Sequence, residues 1–443
     1  MGHPIYSCAM RWWAAVAWID QLLCEAQKTV DEAEVFFVKA TSVSAELKQK
    51  KVNLATSSED YGLGIRTIHK GRIGSSSTNN PGQWRECLSA AIASGKLVTP
   101  HEWKGLPDPV HLSRTPLSFD ASIRIEPQVV IDLIEKMLEG AEEHPAEVTA
   151  GSASLSFATV TLANSKGVRY TDKYTGVSLS LEAIHGQSTG YEFDHSPFMD
   201  KVDPVFVGER ATFFAMESDN GKEIATGEYE ILLSPLAYGE LLGNVFVPAL
   251  SGRNVHAGRS RLAQSLGETV TDPQISMYDD PLLKKASGSV RWDAEGTPTR
   301  RVDFIREGIL KTFAYDLKTA YRFGKTSTAS AIRGGFGGLP SIGHHNFVVD
   351  GKRDEVADER VVYIHNVVGA HTANPMSGEF SVELSNAFWM EGGEFDVPLR
   401  SAMLSGNVFD MHQNISGLSK ESRAIGSMIL PSIKINKQRI IGK

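Results

Sequence analysis

SLSFATVTLANSKGVRYTDKYTGVSLSLEAI, Ser154 to Ile184, carries the clearest fold signal in the chain. Apolar and polar residues alternate along it, many of them β-branched, which is the pattern of strands with one buried face. Asn164-Ser-Lys-Gly167 and Tyr174-Thr-Gly176 supply turn chemistry, because Asn and Gly tolerate backbone conformations that other residues resist. The stretch therefore reads as three short strands. The same rhythm of β-branched residues, glycines and turn signals recurs about every ten residues from Pro145 onward.

The chain before Pro145 has a different texture. Residues 14–30 have the spacing of an amphipathic helix, and so do Trp84 to Gly95. Glu126 to Glu143 is stronger still, with Val130, Leu133, Ile134, Met137 and Leu138 on one stripe. Glu34 to Lys39 and Ser42 to Lys50 read as two strands, and Leu63 to Thr78 as a hairpin turning at Lys70-Gly71. Pro100, Pro107, Pro109 and Pro116 make the next passage an irregular connection. Later helices are expected at Leu236 to Leu250, Val255 to Leu266 and Tyr315 to Phe323, with strands and loops after Ala331. The expected fold class is α+β: an N-terminal α/β domain over residues 1–145, then a larger β-rich, barrel- or sandwich-like domain over 146–443. Residues 1–30 read as a leading helix or an upstream extension.

Composition narrows the function. With 443 residues, 41% hydrophobic, 22% charged and a net charge of −8, the chain lacks the basic balance of a nucleic-acid binder. Its three cysteines, Cys8, Cys24 and Cys87, form no Cys-x-x-Cys, which points to a reducing, cytoplasmic setting. The apolar, Trp-rich start has eight uncharged residues between Arg11 and Asp20. A membrane span needs about twenty, so no membrane association is expected.

GGFGGLPSIG, from Gly334, lacks the Lys and spacing of a phosphate loop. Its Gly334, Gly335 and Gly337 suit a mobile or substrate-facing loop. Zinc hydrolysis needs fixed ligands, most economically two His on one helical face with a neighbouring Glu. No His-Glu-x-x-His or His-Glu-x-x-x-His occurs. His344, His345, His365 and His371 remain as late candidates, although neighbours on a strand point to opposite faces. Gly-x-Ser-x-Gly is absent. Segments Arg360 to Gly369 and Phe380 to Ala387 could accept a peptide as an added strand, or could be interior strands. Asn374, Ser377 and Gly378 form a turn ahead of the second segment.

Six segments carry a resemblance to a known family: AEVFFVKATSVSAELKQKKV from Ala33, GLGIRTIHKGRIGSSST from Gly62, SRLAQSLGETVTDPQISMYDDPLL from Ser260, EGTPTRRVDFIREGILKTFAYDLKTAYRFGKTSTA from Glu295, NPMSGEFSVELSNAFWMEGGE from Asn374 and LSGNVFDMHQNI from Leu404. In order and spacing the chain resembles the TldD/PmbA family, and within it the TldE (PmbA)-like branch. The resemblance implies a cytoplasmic two-subunit metalloprotease that cuts peptides and unfolded segments, including in peptide maturation. In that family the TldD-like chain carries zinc, on a His-Glu-x-x-x-His helix and a late Cys, while the TldE-like chain helps to build the substrate tunnel.

This sequence departs from the zinc-bearing pattern. The corresponding helix, Ser234 to Leu250, has no His, and Val368 stands near the expected Cys. The resemblance therefore implies no catalytic residue, metal ligand or cofactor in this chain, with zinc in a TldD-like partner. Asn374, Ser377, Gly378, Gly334, Gly335 and Gly337 become candidates for a peptide cleft. The expected partners are a TldD-like subunit or a second copy, and a peptide or unfolded substrate. A homodimeric peptide-binding scaffold and a self-sufficient metallopeptidase using the late histidines are the alternatives.

Overall fold

The computed structural model describes residues 17–112 and 118–443. It is an α+β protein, with an N-terminal α/β part and a strand-rich C-terminal part that includes a barrel. Six long antiparallel strands build the first sheet: β1 (Glu32–Lys48), β2 (Lys51–His69), β3 (Arg72–Thr78), β4 (Glu147–Asn164), β5 (Arg169–His185) and β6 (Ser188–Ser196). Their order is β3-β2-β1-β4-β5-β6. β4 pairs with β1 from Glu34↔Asn164 to Lys48↔Ala150. The sheet therefore continues past residue 145, and the strands expected to open the C-terminal domain belong to the N-terminal sheet.

Several local expectations change with it. Glu34–Lys39 and Ser42–Lys50 are one strand, zipped to β2 along its length. The β1–β2 reversal uses Gln49 and Lys50 at positive φ, a turn with no Gly or Asn to announce it. Lys70-Gly71 turns as expected. The Asn164 turn also forms, its side chain accepting from the Lys166 and Val168 amides. Tyr174-Thr-Gly176 is instead the middle of β5, so Ser154 to Ile184 holds two strands rather than three. Gly176 lies opposite Ser156, whose Oγ fills the space of the missing Cβ.

Helices cover one face of this sheet. Residues 17–26 (α1) and Trp84–Lys96 (α2) pack on Val35, Phe37, Leu63 and Ile65. Pro127–Ala141 (α3) and Pro204–Glu217 (α4) pack on Val43, Ala45, Leu155 and Leu179. Helix α4 was not anticipated, although Asp203 followed by Pro204 is an N-cap and first-turn pair; the Asp203 side chain accepts from the Phe206 amide. The other face places Phe36, Leu162 and Tyr170 against Trp292 of the C-terminal part.

In the C-terminal part, β7 (Gly227–Leu233) closes a ring of strands. It pairs with Val361–Val368, which pairs with Glu379–Glu391, then Met403–Asn407, then Met428–Ile441, and this last strand returns to β7. The expected helix at Leu236 to Leu250 is present and packs against the ring. The expected helix at Val255 to Leu266 shrinks to Gly252–His256. The expected helix at Tyr315 to Phe323 is Leu317–Arg322, and a short helix, Val408–Gln413, interrupts the late strands.

The two parts meet at a buried charge cluster. Arg66 on β2 donates to Glu34 on β1 and to Glu295 of the C-terminal part, each at 2.6 Å, with all three side chains at most 3% exposed. Arg333 also pairs with Glu34. Each of these four groups faces an opposite charge in a medium that solvates charge poorly, while burial and the nearby Asp293 and Asp316 push the Glu295 carboxyl up. Replacing Arg66 with Ala leaves Glu295 without its cation, so a loss of about 3–5 kcal/mol in unfolding free energy is expected in urea melts. A loss below about 1 kcal/mol would show that the cluster does not hold the parts together.

Candidate functional site

The site is built around one helix. β7 ends at Leu233, and Ser234 caps the next element by accepting from the Leu236 and Ala237 amides. Pro235 sits in the first turn, where its missing N–H costs nothing. Leu236, Ala237, Tyr238, Leu241, Leu242, Val245 and Phe246 are buried. Only a narrow strip, from Glu240 through Gly243 and Asn244 to Val247 and Pro248, reaches towards solvent. The helix widens to a π-turn over Leu242–Phe246, and the Asn244 amide donates back to the Glu240 carbonyl. Such turns are frequent at functional sites.

The helix end shapes a cavity. Asn254 donates to the Pro248 carbonyl and Ser260 to that of Ala249, so side chains satisfy the last turn. These bonds hold residues 251–260 over a cavity of about 440 Å³. Its apolar lining is Val247, Pro248 and Ile342, with the buried Leu250, Phe304 and Phe347 behind them, and its polar lining includes Arg253, Arg259 and His344. A neighbouring hollow of about 350 Å³ shares Arg253 and Ser341 and reaches Arg66 and Glu295 of the charge cluster.

The late histidines do not converge. His344 lines the cavity, and burial lowers its pKa, favouring the neutral ring. His345 turns away to Asp279, whose carboxylate also accepts the His345 and Asn346 amides. His365 lies stacked on Phe214 with ring centroids 3.7 Å apart. His371 sits on a short 3-10 turn, Ala370–Thr372. Among the described residues no three His, Cys, Asp or Glu side chains are grouped to hold an ion.

The glycine loop and the Asn374 turn are both docked. Phe336 lies over Gly62 and Gly64 of β2, where an added Cβ would fall 2.0 Å from its ring and 2.1 Å from its carbonyl oxygen. Gly334 and Gly335 face open space, while Gly337 approaches Ser77. The Asn374 side chain accepts from the Met376 and Ser377 amides, and Gly378 adopts a φ of 88° against Phe409. Arg261 and Asn407 both donate to the Ser377 carbonyl. None of the six cleft candidates lines the cavity. Arg360–Gly369 and Phe380–Ala387 fall largely in interior strands paired on both sides, leaving little edge for an added strand. Arg259 escaped sequence reasoning because a helix was expected across Val255 to Leu266, and Arg253 because it fell in the short gap between two expected helices; the Ala257-Gly258 break, with Gly258 at φ 68°, was the available signal.

Comparison with known proteins places this geometry. Profiles described as PmbA/TldA metallopeptidase domain 1, central domain and C-terminal domain match residues 33–95, 121–218 and 226–442. The chain belongs to the PmbA/TldD metallopeptidase family. An uncharacterized protein of Methanocaldococcus jannaschii is 30% identical over 419 residues, covering 94% of this chain and 98% of that protein. Metalloprotease PmbA of Escherichia coli is 25% identical, covering 92% and 93%. The crystal structure of TldE from Thermococcus kodakarensis superposes with a TM-score of 0.89 at 25% identity, covering 96% of this chain and 100% of that one. The fold is thus that of the TldE-like branch.

A metallopeptidase family implies a metal, and the described residues at the expected ligand positions do not fit one. The Ser234–Leu250 segment offers Glu240 as its only ionisable side chain besides the buried Tyr238 phenol. Tyr238 is engaged with His412 at 2.9 Å. Val368, 55% exposed, carries no donor atom in its side chain.

His365 gives a pH test of this packing. Burial, followed by the charges of Arg210 and Arg423, pushes it down to about 3 from an ordinary value near 6.5. Glu192, 3.7 Å away, is itself held by Arg423. The neutral ring therefore contributes stability above pH ~6.5 that is lost as pH falls towards 3, because only the unfolded chain takes up the proton. Relative to wild type, His365→Leu should gain about 1.4 kcal/mol per pH unit below 6 in denaturant melts. A pH-independent difference would mean that His365 is protonated in the folded protein.

Proposed function

We propose that this chain is a non-catalytic, substrate-holding subunit of a TldD/TldE-type zinc metalloprotease that cleaves peptides and unfolded segments in the cytoplasm, including in peptide maturation. The supporting observation is the helix after β7. Where the zinc-bearing branch is expected to carry its His pair, this helix buries leucines, a tyrosine and a phenylalanine, and its far end borders a cavity of about 440 Å³. A hydrolytic metal site needs several fixed ligands and an activated water, and these side chains supply neither. The chain's own contribution would then be to bind and orient an extended polypeptide for a TldD-like, zinc-bearing partner. In such an assembly the Asn374–Gly378 turn and the open side of the loop at Gly334, Gly335 and Gly337 would border the peptide's path.

Reconstitution tests this. The purified chain, incubated with unfolded casein and zinc, is expected to leave it intact, whereas adding a TldD-like chain should give chelator-sensitive cleavage and a stable complex of the two chains on size exclusion. Robust chelator-sensitive cleavage by the chain alone would overturn the proposal. A self-dimer that ignores the partner would replace it with a peptide-binding scaffold.

A further inference from the structure

The chain is acidic overall, yet the cavity at the end of the buried helix is lined by Arg253, Arg259 and His344 with no Asp or Glu among its lining residues. Most arginines that hold this fold are spoken for. Arg66 and Arg333 sit in the charge cluster, Arg261 binds Asp410, and Arg423 binds Glu192. The Arg253 and Arg259 side chains have neither hydrogen bond nor ion pair among the described residues, so both guanidinium forks are free. The backbone that carries them is nevertheless fixed. Asn254 ties the Gly252–His256 turn to the Pro248 carbonyl, and the Arg259 amide donates to the Asn254 carbonyl at 2.8 Å.

An apolar floor beneath two unpaired guanidinium groups is a specific combination. Val247, Pro248 and Ile342, backed by the buried Leu250, Phe304 and Phe347, favour a hydrophobic side chain, while a planar, always-charged fork matches a carboxylate through two parallel hydrogen bonds. Pockets of about 300–1,000 Å³ suit small ligands, and about 440 Å³ accommodates one large residue and its terminal group. We propose that this cavity recognises a carboxylate flanked by an apolar side chain, as the last residue of a peptide presents them, with Arg253 and Arg259 as the carboxylate ligands. The adjoining hollow adds Lys318 and Arg322, and its two acids are already engaged: Glu295 with Arg66, and Asp316 as the cap of the Thr319 amide. The positive character thus continues into the adjoining hollow. The inference rests on the peptide-holding function proposed above and adds to it the part of the substrate that is gripped.

The test uses the full chain without a partner and three amino-terminally fluorescein-labelled peptides, read by fluorescence anisotropy. One is Gly-Ser-Gly-Ala-Leu-Phe with a free carboxylate, the second is its amide, and the third is an amide with Glu in place of Leu. The free acid is expected to bind at least about tenfold more tightly than the plain amide. Arg253→Gln and Arg259→Gln should each weaken the free acid by about tenfold, and the double variant should abolish the preference. Both arginines are exposed, so melting curves should match wild type. If the Glu-bearing amide binds as well as the free acid, the source of the carboxylate is an acidic side chain rather than a chain end. Equal binding of acid and amides, insensitivity to both substitutions, or no binding up to millimolar peptide would overturn the inference. The subunit proposal is decided separately by reconstitution with a TldD-like chain: partner-dependent cleavage indifferent to carboxylates would leave it standing and sink only the carboxylate pocket.

Discussion

Glu34, Arg66, Glu295 and Arg333 lie together where the first sheet meets the C-terminal part, and the working surface depends on their mutual neutralisation. A buried ion is tolerated only when its partners are in place. Here the partners come from β1, from β2 and from two separate C-terminal loops. Arg333 begins the glycine loop, so the same ion pairs seat Phe336 against Gly62 and Gly64. Glu295 and Arg66 also wall the hollow beside the cavity. Domain packing, loop placement and the shape of the candidate site therefore share one electrostatic origin.

The fold was legible where periodicity and punctuation agreed. The stripe from Val130 to Leu138 gave α3, and Lys70-Gly71 gave its hairpin. Reading failed where pairing overrode local chemistry. Gly176 looks like a turn, yet long cross-strand pairing with β4 carries β5 through it. Gln49-Lys50 turns the chain without a turn residue, so a continuous hairpin looked like separate pieces. The placement of β4 to β6 beside β1 is a long-range contact, and alternation alone does not name a strand's partner.

The site was less legible for the same reason. Sequence order presents His344, His345, His365 and His371 as one group, but His344 and His345 lie in the short connection between Ser341–Ile342 and Phe347–Asp350, where Asp279 captures both the His345 amide and its ring. His344 faces the cavity and His345 faces Asp279. Arg253 and Arg259 line one cavity because the Gly252–His256 helix ends early, while Asn254 and Ser260 tie this passage to the last carbonyls of the preceding helix. What the sequence did show is the apolar character of Ser234 to Leu250. Burial of that face makes the segment a packing element beside the cavity.

Holding without cutting is the central claim, and crystals of the full chain grown with zinc and an oligopeptide test it most directly. The account expects peptide in the cavity beside Arg253 and Arg259, with no ion coordinated by this chain's side chains. An ordered zinc ligated wholly by its own residues, next to the peptide backbone, would contradict it.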